Sequence, residues 1–394
     1  MPEESRTYRI FISAAEPSAD AHCADLITAL QKSGCDIDFV GVGGPKMASA
    51  GCNLLETTVG RAAMMYKAFS QVIYFYKLLR QITSFLKTKK VDLVILCDSP
   101  AFNFHVAKAA KKLGIKTLFY VAPQLWAWAP WRINKLQQYC DKLCCILPFE
   151  QDWFSKKGVD AVFVGNPLLD GLDFSSDRTG KNYTDFEPKN LRLALMPGSR
   201  AAEINSLWVP MQRIAARLKR KYPNTTLTAV AVDEKGKDVL KSMQILGFRC
   251  RYTAGSVGQA ASDADFAIVA SGSATLQVAA TGCPMVIMYQ SSKILWHLVG
   301  RWLVKTRYLS LVNILAEREL VPEFMPYFSS IEPVVEAIEQ LLTDNDGLTQ
   351  ISTELIELIK PLANKNANER VAHIAIEMLD QVQAAVPKCP AESV

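Results

Sequence analysis

Two short loops carry the residue types that hold anions. Met196-Pro197-Gly198-Ser199-Arg200 follows an apolar run and opens a helical pattern. A small turn there offers backbone N–H groups to a phosphate, and Arg200 adds a fixed cationic fork. Ser271-Gly272-Ser273-Ala274-Thr275 repeats the arrangement further on. Its small side chains allow a phosphate close to the backbone. Two such loops in one half of the chain point to the diphosphate of a sugar nucleotide. Neither is a Walker A loop or a G-x-G-x-x-G fingerprint, and Gly41-Val42-Gly43-Gly44 is followed by Pro45 and Lys46, so it is not one either.

Asp98 closes the apolar run Val91–Asp98, and Glu16 follows the run Tyr8–Ser13. Carboxylates at strand ends are placed to act as general bases. Asp98-Ser99-Pro100 is equally good turn chemistry, so base and turn residue both stand at this point. Asp263-Ala264-Asp265 precedes a strand, which puts its carboxylates at the wrong end of a sheet for a metal-binding D-x-D. No metal is expected.

The elements that must position these residues alternate. Tyr8–Ser13, Asp36–Gly41, Val91–Asp98, Lys116–Val121, Lys142–Ile146 and Ala161–Gly165 read as strands, with helices such as 20–32 and 102–113 between them. Near-continuous apolar, β-branched runs separated by helices specify a parallel sheet covered on both faces. Residues 171–190, rich in Gly, Pro, Asp, Ser and Thr, read as a linker. Alternation restarts at Leu191–Met196 and continues through Thr225–Val232, Phe248–Tyr252, Asp265–Val269 and Pro284–Tyr289. The expected organisation is an N-terminal domain over 1–170, a second over 191–385 ending in helices, and a tail over 386–394. The fold class is α/β, with two Rossmann-like doubly wound domains facing a central cleft at the strand carboxyl ends.

A length of 394 residues suits two domains, and 49% hydrophobic with 21% charged residues is ordinary for a globular protein. Net charge of +5 is too mild to argue for nucleic acid. The distribution says more. No acid lies between Glu56 and Asp92 or between Asp265 and Glu317, and both stretches carry Lys and Arg, which suits phosphates or anionic lipid. The ten cysteines form no C-x-x-C pair and read as free thiols of a reducing compartment. The N-terminus lacks signal-peptide order, and no stretch approaches the roughly 20 apolar residues of a spanning helix.

Taken together, the motifs resemble one family. Ala15–Asp20 is similar to the GE-x-SGD box of lipid-A-disaccharide synthases, Phe39–Met47 to their FxGxGGPxM segment and Asp98–Asn103 to D-x-PDFN. Tyr120–Trp128 is similar to YVxPxxWAW. Leu147–Glu150, Val164–Leu168, Pro197–Arg200 with Glu203, Ser271–Leu276 and Asn313–Glu323 follow in family order, so the resemblance covers roughly residues 8–385. It implies an inverting, metal-independent and cofactor-free GT-B transferase. The implied reaction joins UDP-2,3-diacylglucosamine to 2,3-diacylglucosamine 1-phosphate, giving a β-1,6-linked disaccharide phosphate and UDP. Asp98 matches the family's base. Glu16, Ser18, Asn103, Gly198, Ser199, Arg200 and Glu203 match positions that handle substrate, as do Ser271, Gly272, Ser273, Ala274, Thr275, Gln277, Asn313, Arg318 and Glu319. Departures occur at Ala15, Ala19, Ala101, Asn166, Gln277 and Gln290. Gln277 stands where an acid commonly holds the nucleotide ribose. Alternatives are another UDP-sugar transferase or epimerase of the same build, and a non-catalytic lipid- or nucleotide-binding homologue. A monomer and a homodimer are both left open.

Acylated substrates imply a membrane surface. Met65, Ala68, Phe69, Val72, Phe75, Tyr76, Leu79, Ile82 and Leu86 share a helical face expected to pack on the domain. Tyr66, Lys67, Ile73, Tyr74 and Lys77 lie opposite, as an expected contact with lipid headgroups. Ile294–Tyr308 has the same flavour. The expected location is cytoplasmic, peripherally bound to the inner membrane.

Overall fold

A computed structural model describes residues 6–58, 68–172, 174, 179–291, 306–363 and 365–384. The chain divides into two compact units, Met1–Gly171 with Asn364–Val394, and Leu172–Ala363.

The first unit is built on a seven-stranded sheet of order β3-β2-β1-β4-β5-β6-β7. Its strands are β1 (Tyr8–Ala14), β2 (Ile37–Gly43), β3 (Asn53–Thr57), β4 (Leu93–Cys97), β5 (Lys116–Tyr120), β6 (Lys142–Cys145) and β7 (Ala161–Phe163). Every pairing is parallel. All of β4 is buried, as expected of a central strand covered on both faces. The glycines of β2 have a steric cause. A Cβ at Gly41 would collide with the Ile12 carbonyl oxygen, and one at Gly43 with the Met47 sulfur. Asp20, buried in the helix Pro17–Gln31, accepts the N–H groups of Gly44 (2.9 Å), Lys46 (3.1 Å) and Met47 (3.0 Å). Two motifs distant in sequence are therefore parts of one turn.

The helix Ala367–Ala384 corrects the expected boundary at 385. Its Val371, Ala375 and Leu379 are buried in the first unit's core with Leu26 and Leu30. The chain returns because a buried stripe at i, i+4, i+8 needs an apolar partner, and the helix Pro17–Gln31 supplies one. Asp170 caps it, accepting from the N–H groups of Ala367 (3.0 Å) and Asn368 (3.1 Å), and Tyr120 Oη donates to Asn368 Oδ1 at 2.9 Å.

The helix Ala68–Thr88 also differs from expectation. Leu78, Ile82 and Leu86 are buried, and Phe75 packs on Phe102. Val72 and Tyr76, expected to pack, are 66% and 61% exposed, and Tyr74, expected outside, is half-buried against Phe75. The packed stripe is turned relative to the one read from sequence, because its C-terminal half carries the contacts. Tyr66 and Lys67 lie outside the described residues, as does most of Ile294–Tyr308.

The second unit is a six-stranded sheet of order β10-β9-β8-β11-β12-β13. Its strands are β8 (Arg192–Met196), β9 (Thr226–Ala231), β10 (Arg251–Ala254), β11 (Phe266–Ala270), β12 (Met285–Met288) and β13 (Glu323–Phe324), again all parallel. Much of the expected linker belongs to this unit. Tyr183 is buried and donates to the Asp265 carbonyl at 2.7 Å, and Lys181 Nζ donates to the Ala261 carbonyl at 2.8 Å. Asp265 accepts the Arg192 N–H at 2.8 Å and pairs with its guanidinium at the amino end of β8, a structural role for the D-x-D.

Two buried groups of the first unit titrate in opposite senses. Burial and then Lys46 push His22 down from 6.5 to about 4. Burial pushes Glu150 up from 4.5 to about 7, although it accepts from Trp126 Nε1 and the Ile146 and Leu147 N–H groups. A lowered base contributes stability above its unfolded value and loses it on acidification. A raised acid contributes stability below its unfolded value and loses it as pH rises through the folded one. Between pH 7 and 5 each amounts to about 2 kcal/mol, with opposite signs. Relative to the parent, His22→Gln should gain about 2 kcal/mol on going from pH 7 to 5, and Glu150→Gln should lose about as much. Denaturant unfolding at both pH values checks this; parallel shifts would contradict it.

Candidate functional site

Two adjacent strands of the first unit, β4 and β5, end in unusual backbone. After β4, Asp98 and Ser99 have φ of 51° and 44°, and Val121 after β5 has φ of 61°. Left-handed conformations at such residues cost on the order of 1–3 kcal/mol each. Asn103 holds the β4 turn. It is fully buried, accepts from Ser13 Oγ at 2.7 Å, and donates through Nδ2 to the carbonyls of Cys97 (3.0 Å) and Asp98 (2.7 Å). The Asp98 N–H donates to the Tyr120 carbonyl at 3.2 Å. Ser99 Oγ donates to Glu16 Oε1 at 3.4 Å, so the ends of β1 and β4, paired at Ala14 and Cys97, bring Glu16 and Asp98 into one turn cluster. Ser18 is exposed on the first turn of the helix beside Glu16.

In the second unit, β8 and β11 pair through Met196 and Val269, so the two anion-type loops leave neighbouring strand ends. Gly198 has φ of +102°, and a Cβ there would strike the Glu203 carboxylate. Glu203 Oε2 accepts the N–H groups of Ser199 (2.9 Å) and Arg200 (3.2 Å), while Oε1 accepts from Arg200 Nη1 at 3.2 Å. The backbone donors expected to meet a phosphate here are thus engaged by Glu203. Arg200 keeps a side chain 68% exposed. The second loop is more open. Gly272 and Ser273 are exposed, Ala274 is half-buried, and Thr275 is buried with Oγ1 donating to the Gly272 carbonyl at 2.7 Å. The Ser271 N–H is spent on the Met288 carbonyl at 2.9 Å. Gln277 is half-buried one turn along the same short helix, Ala274–Ala279.

Two expected contacts prove to be internal supports. Asn103 has its amide engaged in the turn it holds. Asn313 is fully buried, accepts from the Leu320 (2.9 Å) and Val321 (3.1 Å) N–H groups, and donates to the Val321 carbonyl at 2.8 Å and Glu323 at 3.0 Å. The segment it organises enters β13 from the strand's amino side, where Arg318 pairs with Glu354 and Glu319 is exposed. Glu354 shares a helix with Ser352, which bonds to Gly282 ahead of β12. Arg318 and Glu319 therefore stand at the end of the sheet opposite the anion-type loops. Asp20 and Glu150 were missed as organisers: both sit in recognisable motifs, but nothing in spacing tells a capping carboxylate from a reacting one.

The profile of the family described as lipid-A-disaccharide synthetase matches residues 10–378. A lipid-A-disaccharide synthase of Trichlorobacter lovleyi is 32% identical over 385 residues, covering 95% of this chain and 99% of its own. Among solved structures, S. aureus MnaA with UDP aligns at a TM-score of 0.62 and 15% identity over 97% of this chain and 99% of its own. The calicheamicin glycosyltransferase CalG4 aligns at 0.59 and 15% identity over 96% of this chain and all, 100%, of its own. At that identity the two structures speak for the fold alone, a GT-B pair of Rossmann-like domains. The sequence match is of another order, and by it the chain belongs to the lipid-A-disaccharide synthase family, glycosyltransferases of lipid A biosynthesis.

Proposed function

We propose that this glycosyltransferase joins UDP-2,3-diacylglucosamine to 2,3-diacylglucosamine 1-phosphate with inversion, and that Asp98 is its base. The observation that carries the reading is the β4 turn, where a carboxylate is held in a strained conformation beside Glu16 at the carboxyl edge of a parallel sheet. Asp98 takes the proton from the acceptor 6-hydroxyl as its oxygen bonds to the donor anomeric carbon. The bond to UDP breaks on the opposite face, giving the β-linkage. Positive character at the anomeric carbon makes leaving-group stabilisation the larger demand. The exposed face of Arg200 and the open loop at Gly272 and Ser273 meet it, and Gln277 bonds the ribose. Glu203 pins the Arg200 loop and is itself a positioning group. Asn103 acts through Asp98.

The acyl chains require a lipid surface. Val72, Ile73, Tyr76 and Lys77 are exposed on the helix Ala68–Thr88, within a stretch free of acids. They form the contact in place of the expected Tyr74. No helix among the described residues is long and apolar enough to cross a membrane. The protein is then a peripheral one, on the cytoplasmic side of the inner membrane.

Asp98→Asn should fold, bind UDP as the parent does, and lose roughly 10²-fold or more in turnover, the usual scale for a general base. Turnover within a few-fold of the parent would remove Asp98 from the role. Binding to anionic vesicles should be salt-sensitive, since each basic group near the leaflet contributes on the order of 1 kcal/mol. The variant Val72→Ser, Ile73→Ser, Lys77→Glu should lose most of it. Sedimentation at low salt equal to the parent's would place the contact elsewhere.

A further inference from the structure

The stretch from the Asp98 turn to β6 carries a group of cations that nothing above uses. From Ser99 to Cys140 the chain has no acidic residue but contains Lys108, Lys111, Lys112, Lys116, Arg132 and Lys135. Lys111 and Lys116 are neutralised by Asp141. Arg132 and Lys135 are not paired with any carboxylate among the described residues, and each rests on an aromatic ring instead. The Arg132 guanidinium lies 5.4 Å from the Trp128 ring centroid, and Lys135 Nζ lies 5.5 Å from that of Phe104. A ring face orients a cation without cancelling its charge, so it stays available to an anion. Trp128 and Trp131 are 39% and 58% exposed beside them. Exposed tryptophan next to unpaired cations suits a ligand with both a sugar face and a phosphate.

The position of this group relates it to the reaction. The segment leaves β5 at Val121, next to the Asp98 turn, whose N–H bonds the Tyr120 carbonyl. Phe104, under Lys135, lies one turn into the helix Pro100–Lys112 that the Asp98 turn opens. At 1.5 Å per residue this is roughly 6 Å along the helix from Pro100, two residues beyond Asp98. An acceptor hexose carries its reacting 6-hydroxyl and its 1-phosphate at opposite ends of one ring, so its phosphate site must stand about a sugar's length from the base. We propose that Arg132 and Lys135 bind the 1-phosphate of the acceptor, with Trp128 or Trp131 against its sugar. This rests on the acceptor class given under Proposed function, and names the residues that select the phosphorylated form.

The test is binding, so it does not depend on turnover. Neutral detergent micelles are doped with 2,3-diacylglucosamine 1-phosphate, with 2,3-diacylglucosamine, or with phosphatidylglycerol, and titrated against the parent and the double variant Arg132→Gln, Lys135→Gln. The parent should bind the phosphorylated acceptor at least tenfold more tightly than the other two. The double variant should lose that preference while binding the unphosphorylated acceptor and UDP as the parent does, which also shows that it is folded. A preference that survives in the double variant, or is absent from the parent, overturns the assignment. Equal binding of phosphatidylglycerol and acceptor phosphate also overturns it, making the cluster a general lipid contact. Intact, selective binding without turnover would count against the glycosyltransferase reaction proposed and leave the phosphate site standing.

Discussion

One buried amide sets the geometry of the carboxyl edge of the first sheet. A parallel sheet delivers all its strand ends to the same side, but it does not dictate the conformation of the turn that follows each strand. In the first unit Asn103 decides this for β4, tying the carbonyls of Cys97 and Asp98 to a hydroxyl on β1. The left-handed pair Asp98 and Ser99 persists because those bonds, and the Asp98 N–H on β5, over-determine it. Three strands are thus coupled to one carboxylate. For the base role proposed for Asp98, a carboxylate held in this way needs no reorganisation to act.

The second unit presents a different problem. On the reading proposed above its loops meet a strongly negative diphosphate, yet Glu203 already occupies one of them. Glu203 takes the Ser199 and Arg200 N–H groups and one guanidinium nitrogen. This capping leaves the loop rigid and gives up its backbone donors. The outward face of Arg200 and the neighbouring loop at Gly272 are exposed. Gly198 makes the arrangement sterically possible, since any Cβ would displace the carboxylate.

The parallel sheets were legible because buried β-branched runs have few other uses, and Glu16, Asp98 and Arg200 stand out in the sequence because strand-end carboxylates and loop arginines have a chemical meaning. Asn103 and Asn313 were read as substrate contacts for the same reason that Asp20 and Glu150 were passed over. A motif marks a polar residue as needed without saying whether its partner is a ligand or the backbone. Long-range packing was not legible either. The helix Ala367–Ala384 follows the second unit in sequence but buries Val371, Ala375 and Leu379 against the first. In the helix Ala68–Thr88 every side is partly apolar, so periodicity alone misplaced the face by about one residue position. The acid-free run from Ser99 to Cys140 was visible in the sequence. What it lacked there was the fact that Arg132 and Lys135 lie on aromatic rings and pair with no carboxylate among the described residues.

The central claim is that the chain forms a β-1,6 bond between two acylated glucosamines with Asp98 as base. Its most direct test is product analysis after incubating the purified protein with both substrates in neutral detergent. The account predicts UDP and disaccharide 1-phosphate in equal amounts, with an anomeric coupling constant diagnostic of the β-linkage. Release of UDP without disaccharide, an α-linked product, or a 2-epimerised donor would contradict it.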